Sequence, residues 1–215
     1  MAEISIELLK ERLKNAAQKV IDNEPCLTEI DMMIGDGDHG TSMKRGFGAA
    51  LKLLGENEYT YINDMMRDFS IELIRSMGGA SGVIFGTMFF GGINELPKSD
   101  TVSLKELAKF FDAGEKAIEK RGKSKPGEKT MLDALYPAVC AMNEDKADDP
   151  ADFFKAAWKE ALAGAEKSKS IVSKKGRSSN FGELTIGRPD PGAVSVTFIF
   201  EGIYETIAGR SKNIC

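Results

Sequence analysis

Three aspartates, Asp31, Asp36 and Asp38, fall within eight residues, and Gly35 and Gly37 flank the middle one. Glycine lets the backbone turn tightly at low steric cost. Carboxylates brought this close repel one another unless a cation neutralises them. A set of oxygen ligands suits a hard cation, magnesium or calcium. A calcium helix–loop–helix needs a bidentate Glu at the twelfth position of its loop, and counting from Asp36 that position is Phe47. Magnesium, which completes its shell with water and phosphate oxygens, is therefore the better match. The bland alternative is a solvated turn with helix-capping aspartates.

The only histidine, His39, follows this cluster and precedes Gly40, Thr41 and Ser42. If a helix opens here, its free N–H groups face whatever anion the cation attracts. His39 reads either as a ligand contact or as a structural residue. A second glycine-rich junction is Gly78-Gly79-Ala80-Ser81-Gly82, where small side chains leave room for a phosphate or a base, or simply for a tight interhelical turn. A third is Lys125-Pro-Gly-Glu-Lys-Thr, and a fourth runs from Gly176-Arg177-Ser-Ser to Gly187-Arg-Pro-Asp190-Pro191-Gly192. Arg177 carries a planar fork that can grip phosphate or stack on a base. A loop of that length in a compact domain is often a lid. Neither a Walker A loop nor a strand-borne G-x-G-x-x-G occurs, so nucleotide binding would need an unrelated fold.

The elements that must position these loops are helical. Apolar residues recur at helical spacing in Ile4, Leu8, Leu13, Ala16 and Val20; in Met43, Phe47, Ala50, Leu51 and Leu54; and in Ile62, Met65, Met66, Phe69, Leu73 and Met77. Residues 80–96 are apolar almost all round, predicting a helix buried on most sides. Leu104, Leu107, Ala108, Phe111 and Ile118 follow, opened by a capping-box spacing at Ser103 and Glu106. Then come Met131, Leu135, Val139 and Met142, and a stripe of Phe154, Ala157, Ala161 and Ala165 behind Asp149-Pro150. Residues 194–200 have strand propensity. Yet Asp190-Pro191-Gly192 opens them like a helix, and Val196, Ile199, Ile203 and Ile207 keep helical spacing. The expectation is an all-α chain of about eight helices with no strand, forming one domain over residues 1–215. Antiparallel helices bring alternate junctions to one end, so the polar loops are expected to converge on one ligand.

Bulk composition narrows the partners. With 42% hydrophobic and 29% charged residues and a net charge of −4, the chain is an ordinary globular one without the basic face of a nucleic-acid binder. No run reaches the roughly 18 apolar residues needed to span a bilayer. The acidic start Met1-Ala-Glu-Ile is no secretory signal, so a cytoplasmic location is expected. Cys26, Cys140 and Cys215 lack motif spacing and read as free thiols.

Taken in order, the motifs resemble a family. Ile34-Gly-Asp-Gly-Asp-His-Gly, Gly78-Gly-Ala-Ser-Gly, Gly114 through Gly122, Gly127-Glu-Lys-Thr-Met-Leu-Asp-Ala-Leu, Lys175-Gly-Arg-Ser-Ser and Ile186-Gly-Arg-Pro-Asp-Pro-Gly-Ala are similar to those of the nucleotide-binding subunits of phosphotransferase-dependent dihydroxyacetone kinases. They are similar also to the ATP-binding domain of single-chain dihydroxyacetone kinases. The resemblance covers nearly the whole chain. It implies a barrel of eight antiparallel helices with ADP or ATP at one end. It implies two magnesium ions on Asp31, Asp36 and Asp38, with His39, Gly40, Thr41 and Ser42 on the phosphates and Ala80 and Ser81 beside them. Gly122 and Met131 would line the adenine pocket, while Arg177, Asp190, Pro191 and Gly192 would close over the nucleotide. It implies half an enzyme, with the ketose held on a partner subunit and bound ADP recharged by a phosphohistidine-carrying phosphotransferase subunit. Exchangeable ATP, another short ketose, a transcription regulator as partner and a homodimer stay open. Asn180-Phe181 and Arg188-Pro189 depart from the family pattern, and both lie in the lid.

Overall fold

The computed structural model describes residues 2–144 and 148–205. Nine α-helices are found among them: α1 (Ile6–Asp22), α2 (Glu24–Ile34), α3 (His39–Glu56), α4 (Ile62–Met77), α5 (Gly79–Phe90), α6 (Leu104–Gly122), α7 (Leu132–Glu144), α8 (Pro150–Ser168) and α9 (Pro191–Tyr204). Short 3-10 segments cover Ile93–Glu95 and Arg177–Thr185. Eight helices match the expected stripes, and α2 is additional. Its signal was present in Pro25 at the first turn and in Leu27, Ile30 and Ile34, which are buried at helical spacing.

Local chemistry explains most of the ends. Ser5 caps α1 by accepting from the amide of Leu8, and Asp149 caps α8 ahead of Pro150. Ser103 and Glu106 form the expected capping box, in which each side chain satisfies the other's open amide. Asp190 caps the ambiguous last segment, accepting from Ala193 N at 2.8 Å. That cap and burial on all sides override the strand propensity of α9.

Several expectations are corrected. Ile4 is not helical: it lies in β1 (Glu3–Ser5), paired antiparallel with β2 (Thr101–Ser103) so that Ile4 faces Val102. Three-residue strands are too short to show alternation, and their pairing is decided by tertiary contact. Leu8 is 41% exposed, and Leu9 takes its inward place beside Leu13. The apolar stretch 80–96 is not one helix. It breaks after Phe90 at Gly91-Gly92, two glycines that weaken the helix, and Gly92 sits so close to α6 that a Cβ there would fall 2.0 Å from the carbonyl oxygen of Phe110. Cys140 is a free thiol, but Cys26 is disulfide-bonded; an odd cysteine count does not forbid one pair. Cys215 and Ile207 lie outside the described residues.

The packing order is sequential. α1 lies on α3, α3 on α4, α4 on α5, and so on through α6, α7, α8 and α9, while α9 returns to α1. The eleven-residue α2 packs on α3. Across the middle runs a chain of rings: Phe47 to Phe69 (6.3 Å between centroids), Phe69 to Phe89 (5.0 Å), Phe89 to Phe111 (6.3 Å) and Phe111 to Phe200 (5.3 Å). These rings come from α3, α4, α5, α6 and α9, and edge-on or tilted contacts of this kind contribute about 0.5–1.5 kcal/mol each beyond buried area. The core thus fixes the helix ends on which the polar loops sit. None of the helices among the described residues is long and apolar enough to cross a membrane.

Candidate functional site

Asp31 occupies the last turn of α2, on the same face as Leu27 and Ile34, and is only 8% exposed. A carboxylate on an otherwise apolar face is costly unless it has partners. Its Oδ2 accepts from the amide of His39 at 3.2 Å, across the turn that carries Asp36 and Asp38. Two glycines make the turn. A Cβ at Gly35 would lie 2.2 Å from Asp31 Oδ1, and Gly37 has φ +76°. The three carboxylates each offer an oxygen within 4.8 Å of the others. Asp31 is buried, and Asp36 and Asp38 face solvent. The donor set is all oxygen, anionic and convergent, which fits a hard divalent cation. Among the described residues, the guanidinium of Arg177 pairs with this set, from the 3-10 segment 139 positions beyond Asp38. It pairs with Asp36 and lies 3.1 Å from Asp38 Oδ2.

α3 begins immediately after Asp38. The first bonds of this turn run from Ser42 N and Thr41 Oγ1 to the carbonyl of Asp38, at 3.0 and 2.9 Å. The amides of Gly40 and Thr41 therefore stand in the open first turn, where an anion is favoured. The His39 ring is buried. Its Nε2 lies 2.8 Å from Ser195 Oγ, whose own hydroxyl donates to the Pro191 carbonyl at 3.0 Å. That network assigns the hydrogen to Nε2. Burial pushes the imidazole pKa down to about 4 against the opposing charge of Asp31, so the ring is neutral at pH 7.

Asp31, Asp36, Asp38, His39 and Ser42 line one wall of a cavity of about 500 Å³, a size suited to a small-molecule ligand. The Gly78–Ser81 junction forms another wall, with Gly78 at φ +70° and Gly79 at φ +59°. Arg45 of α3 fastens that junction by donating to the carbonyls of Ser76 and Met77 at 2.9 and 2.5 Å. Ile84, Phe85, Ile118 and Met131 supply an apolar side, next to Gly122. Arg177, Asp190, Pro191 and Gly192 complete the rim. Asp190 is buried, and burial raises its pKa to about 7 despite the amides of Ala193 and Gly192 that donate to it.

Of the residues singled out from sequence, all line this cavity except Gly40 and Thr41. Gly40 is pressed against α2, where a Cβ would fall 2.2 Å from Thr28 Oγ1, and Thr41 is exposed. Arg45, Lys129 and Ser195 were missed. Arg45 lies one turn beyond Ser42 on α3, and Lys129 is the second lysine of the loop Lys125-Pro-Gly-Glu-Lys-Thr already noted. Nothing in the sequence marks Ser195, whose partner is 156 positions away.

The chain is similar to known proteins. Residues 33–205 match the family model described as the DAK2 domain. The chain is 36% identical over 195 residues to the ADP-binding subunit of PEP-dependent dihydroxyacetone kinase 1 of Listeria innocua, covering 90% of this chain and 93% of that one. It is 34% identical to the corresponding Escherichia coli subunit, covering 81% and 84%. The dihydroxyacetone kinase of C. freundii, solved in complex with AMP-PNP and Mg2+, shares the fold with a TM-score of 0.75 at 22% identity. That alignment covers 92% of this chain and 33% of the larger kinase chain. By the match to the family model and by these identities, the chain belongs to the DAK2 domain family.

Proposed function

We propose that this chain is the ADP-binding subunit of a dihydroxyacetone kinase, a phosphotransferase that acts on a ketose held by a partner subunit. The observation that carries the reading is the convergence of Asp31, Asp36 and Asp38 at the mouth of a cavity walled by glycine-rich helix junctions. Relatives that match it over nearly their full length are named as ADP-binding subunits. The neighbour order that returns α9 to α1 supports a barrel of eight antiparallel helices, α2 lying outside the ring, with the site at one end of a single domain over residues 1–215.

Asp31, Asp36 and Asp38 would hold two magnesium ions, which when bound neutralise phosphate charge. The open amides of Gly40 and Thr41, with His39 and Ser42, would meet the phosphates, and Ala80 and Ser81 would lie beside them. Neutral His39 can donate or accept without adding charge. Gly122 and Met131 would border the base, and Arg177 with Asp190–Gly192 would close the rim. Phosphoryl transfer asks chiefly for positioning and charge neutralisation, so no protein nucleophile is assigned. The relatives are named as PEP-dependent, and the donor proposed for this chain is a phosphohistidine-carrying phosphotransferase subunit that recharges bound ADP in the cytoplasm. Met32 on α2 and Leu184 on the 3-10 segment that contacts it are each 69% exposed, and Ile186 is 51% exposed; such uncovered apolar residues suit a partner subunit. A transcription regulator or a second copy of the chain are the other partners to be sought in a pull-down.

Native mass spectrometry of the purified chain in magnesium tests the reading. A mass increment of one ADP with magnesium, removed by a chelator, is expected. A ligand-free chain that also fails to take up added ADP with magnesium would overturn it.

A further inference from the structure

Resting on the nucleotide-site reading, we infer that Lys129 is a positioning residue: it pins the neck of the loop 169–188 and thereby holds Arg177 over the three carboxylates. Lys129 is 1% exposed, and its ammonium donates to the carbonyls of Ser168, Thr185 and Arg188 at 2.7, 2.8 and 2.5 Å. Ser168 ends α8 and begins the loop, whereas Thr185 and Arg188 end it. One side chain therefore ties both ends of the loop to a third segment. A buried ammonium is tolerated only when each of its hydrogens is satisfied, and three converging carbonyls do that. The geometry suits a compact ammonium better than a planar guanidinium.

The backbone at Lys129 is held for this task. Its φ is +60°, a conformation that L side chains rarely adopt. Asp133 fixes it from the first turn of α7, accepting from Gly127 N at 2.6 Å and Thr130 N at 2.7 Å. The neck also closes through Gly187 N to Lys169 O at 2.7 Å and Ser173 N to Thr185 Oγ1 at 3.0 Å. Beyond it the loop is tied to the segment that leads to Lys129, Lys174 N donating to Glu128 O at 3.1 Å and Lys175 Nζ to Lys123 O at 2.5 Å, and Arg177, two-thirds exposed, reaches across to Asp36 and Asp38. Strain that persists at a non-glycine residue requires surroundings that over-determine it, and here those surroundings are the loop neck.

The test compares wild type, Lys129→Met, Arg177→Met and the double variant. It reads amide hydrogen exchange over residues 170–188 and the dissociation rate of ADP in excess magnesium. In Lys129→Met, exchange in the loop should rise at least tenfold with α3 to α6 unchanged. ADP should leave at least tenfold faster, and this acceleration should vanish in the Arg177→Met background. Unchanged loop exchange, or an acceleration that persists without Arg177, would overturn the positioning role. If Lys129→Met does not fold, Lys129→Arg carries the same readings, because a guanidinium cannot place three hydrogens on those carbonyls. A wild-type chain that binds no ADP would instead sink the nucleotide reading, and loop exchange would still decide whether Lys129 pins the neck.

Discussion

Arg177 Nη1 lies 3.1 Å from Asp38 Oδ2, and the same guanidinium pairs with Asp36, so one arginine neutralises two of the three clustered carboxylates from the far side of the cavity. The pair is exposed on both sides, and exposed pairs of this kind contribute about 0–1 kcal/mol to stability. Arg177→Met should therefore leave the melting temperature of the ligand-free chain nearly unchanged. On the proposed reading the fork would engage phosphate once magnesium and ADP are bound, and its loss should weaken ADP binding roughly tenfold, equivalent to about 1.4 kcal/mol. Titration calorimetry showing equal affinity for both proteins would refute the rim role of Arg177.

Asp36→Asn removes one anionic ligand without changing side-chain volume. ADP affinity in magnesium should fall sharply, and the fall should be smaller for magnesium-free ADP. Magnesium and ADP together should raise the wild-type melting temperature, since ligand at about 100 times Kd stabilises by roughly 2.7 kcal/mol. A thermal scan in which Asp36→Asn shows the full wild-type shift would count against this aspartate as a ligand.

Glu115 offers a pH prediction away from the site. It is buried on α6, with an Oε1 that has no hydrogen-bond partner among the described residues. Burial, then the charges of Glu119 and Asp112, push its pKa from 4.5 up to about 7. The folded state therefore binds the proton more tightly than the unfolded state. Below pH 4.5 both states are protonated and nothing is lost. As pH rises through 4.5 toward 7 the chain loses stability at this position, and above 7 the loss is complete. Glu115→Gln should melt higher than wild type at pH 8 and level with it at pH 4. The same difference at both pH values would show that Glu115 does not titrate in this window.

Division of labour gives the fourth prediction. The chain alone, with ATP, magnesium and dihydroxyacetone, should form no dihydroxyacetone phosphate. Its single histidine is buried against Ser195 beside the carboxylates and is not available to bind a ketone elsewhere. Adding a ketose-binding subunit and a phosphoryl donor should restore turnover. Product formed at a useful rate by the isolated chain would refute the half-enzyme reading.

The sequence alone determined eight of the nine helices found among the described residues, though not all their ends, because apolar spacing and caps act locally. The stripe from Ile62 to Met77, the capping box of Ser103 and Glu106, and the Asp190 cap of α9 were all legible in it. So was the acidic turn, since Asp31, Asp36 and Asp38 are near neighbours and glycine dictates the bend between them. Tertiary structure alone decided what joins distant positions. Asp31 became a buried residue of α2 rather than part of a loop, because Leu27 and Ile34 turn its face inward. Ile4 became a strand because Val102 lies opposite. Ser195 reached His39, Arg177 reached Asp38, and Lys129 gathered three carbonyls of α8 and the loop, all through chain crossings that the ring of packed helices sets. Local periodicity records which face of a helix is buried, but not which residue of another helix will meet it there.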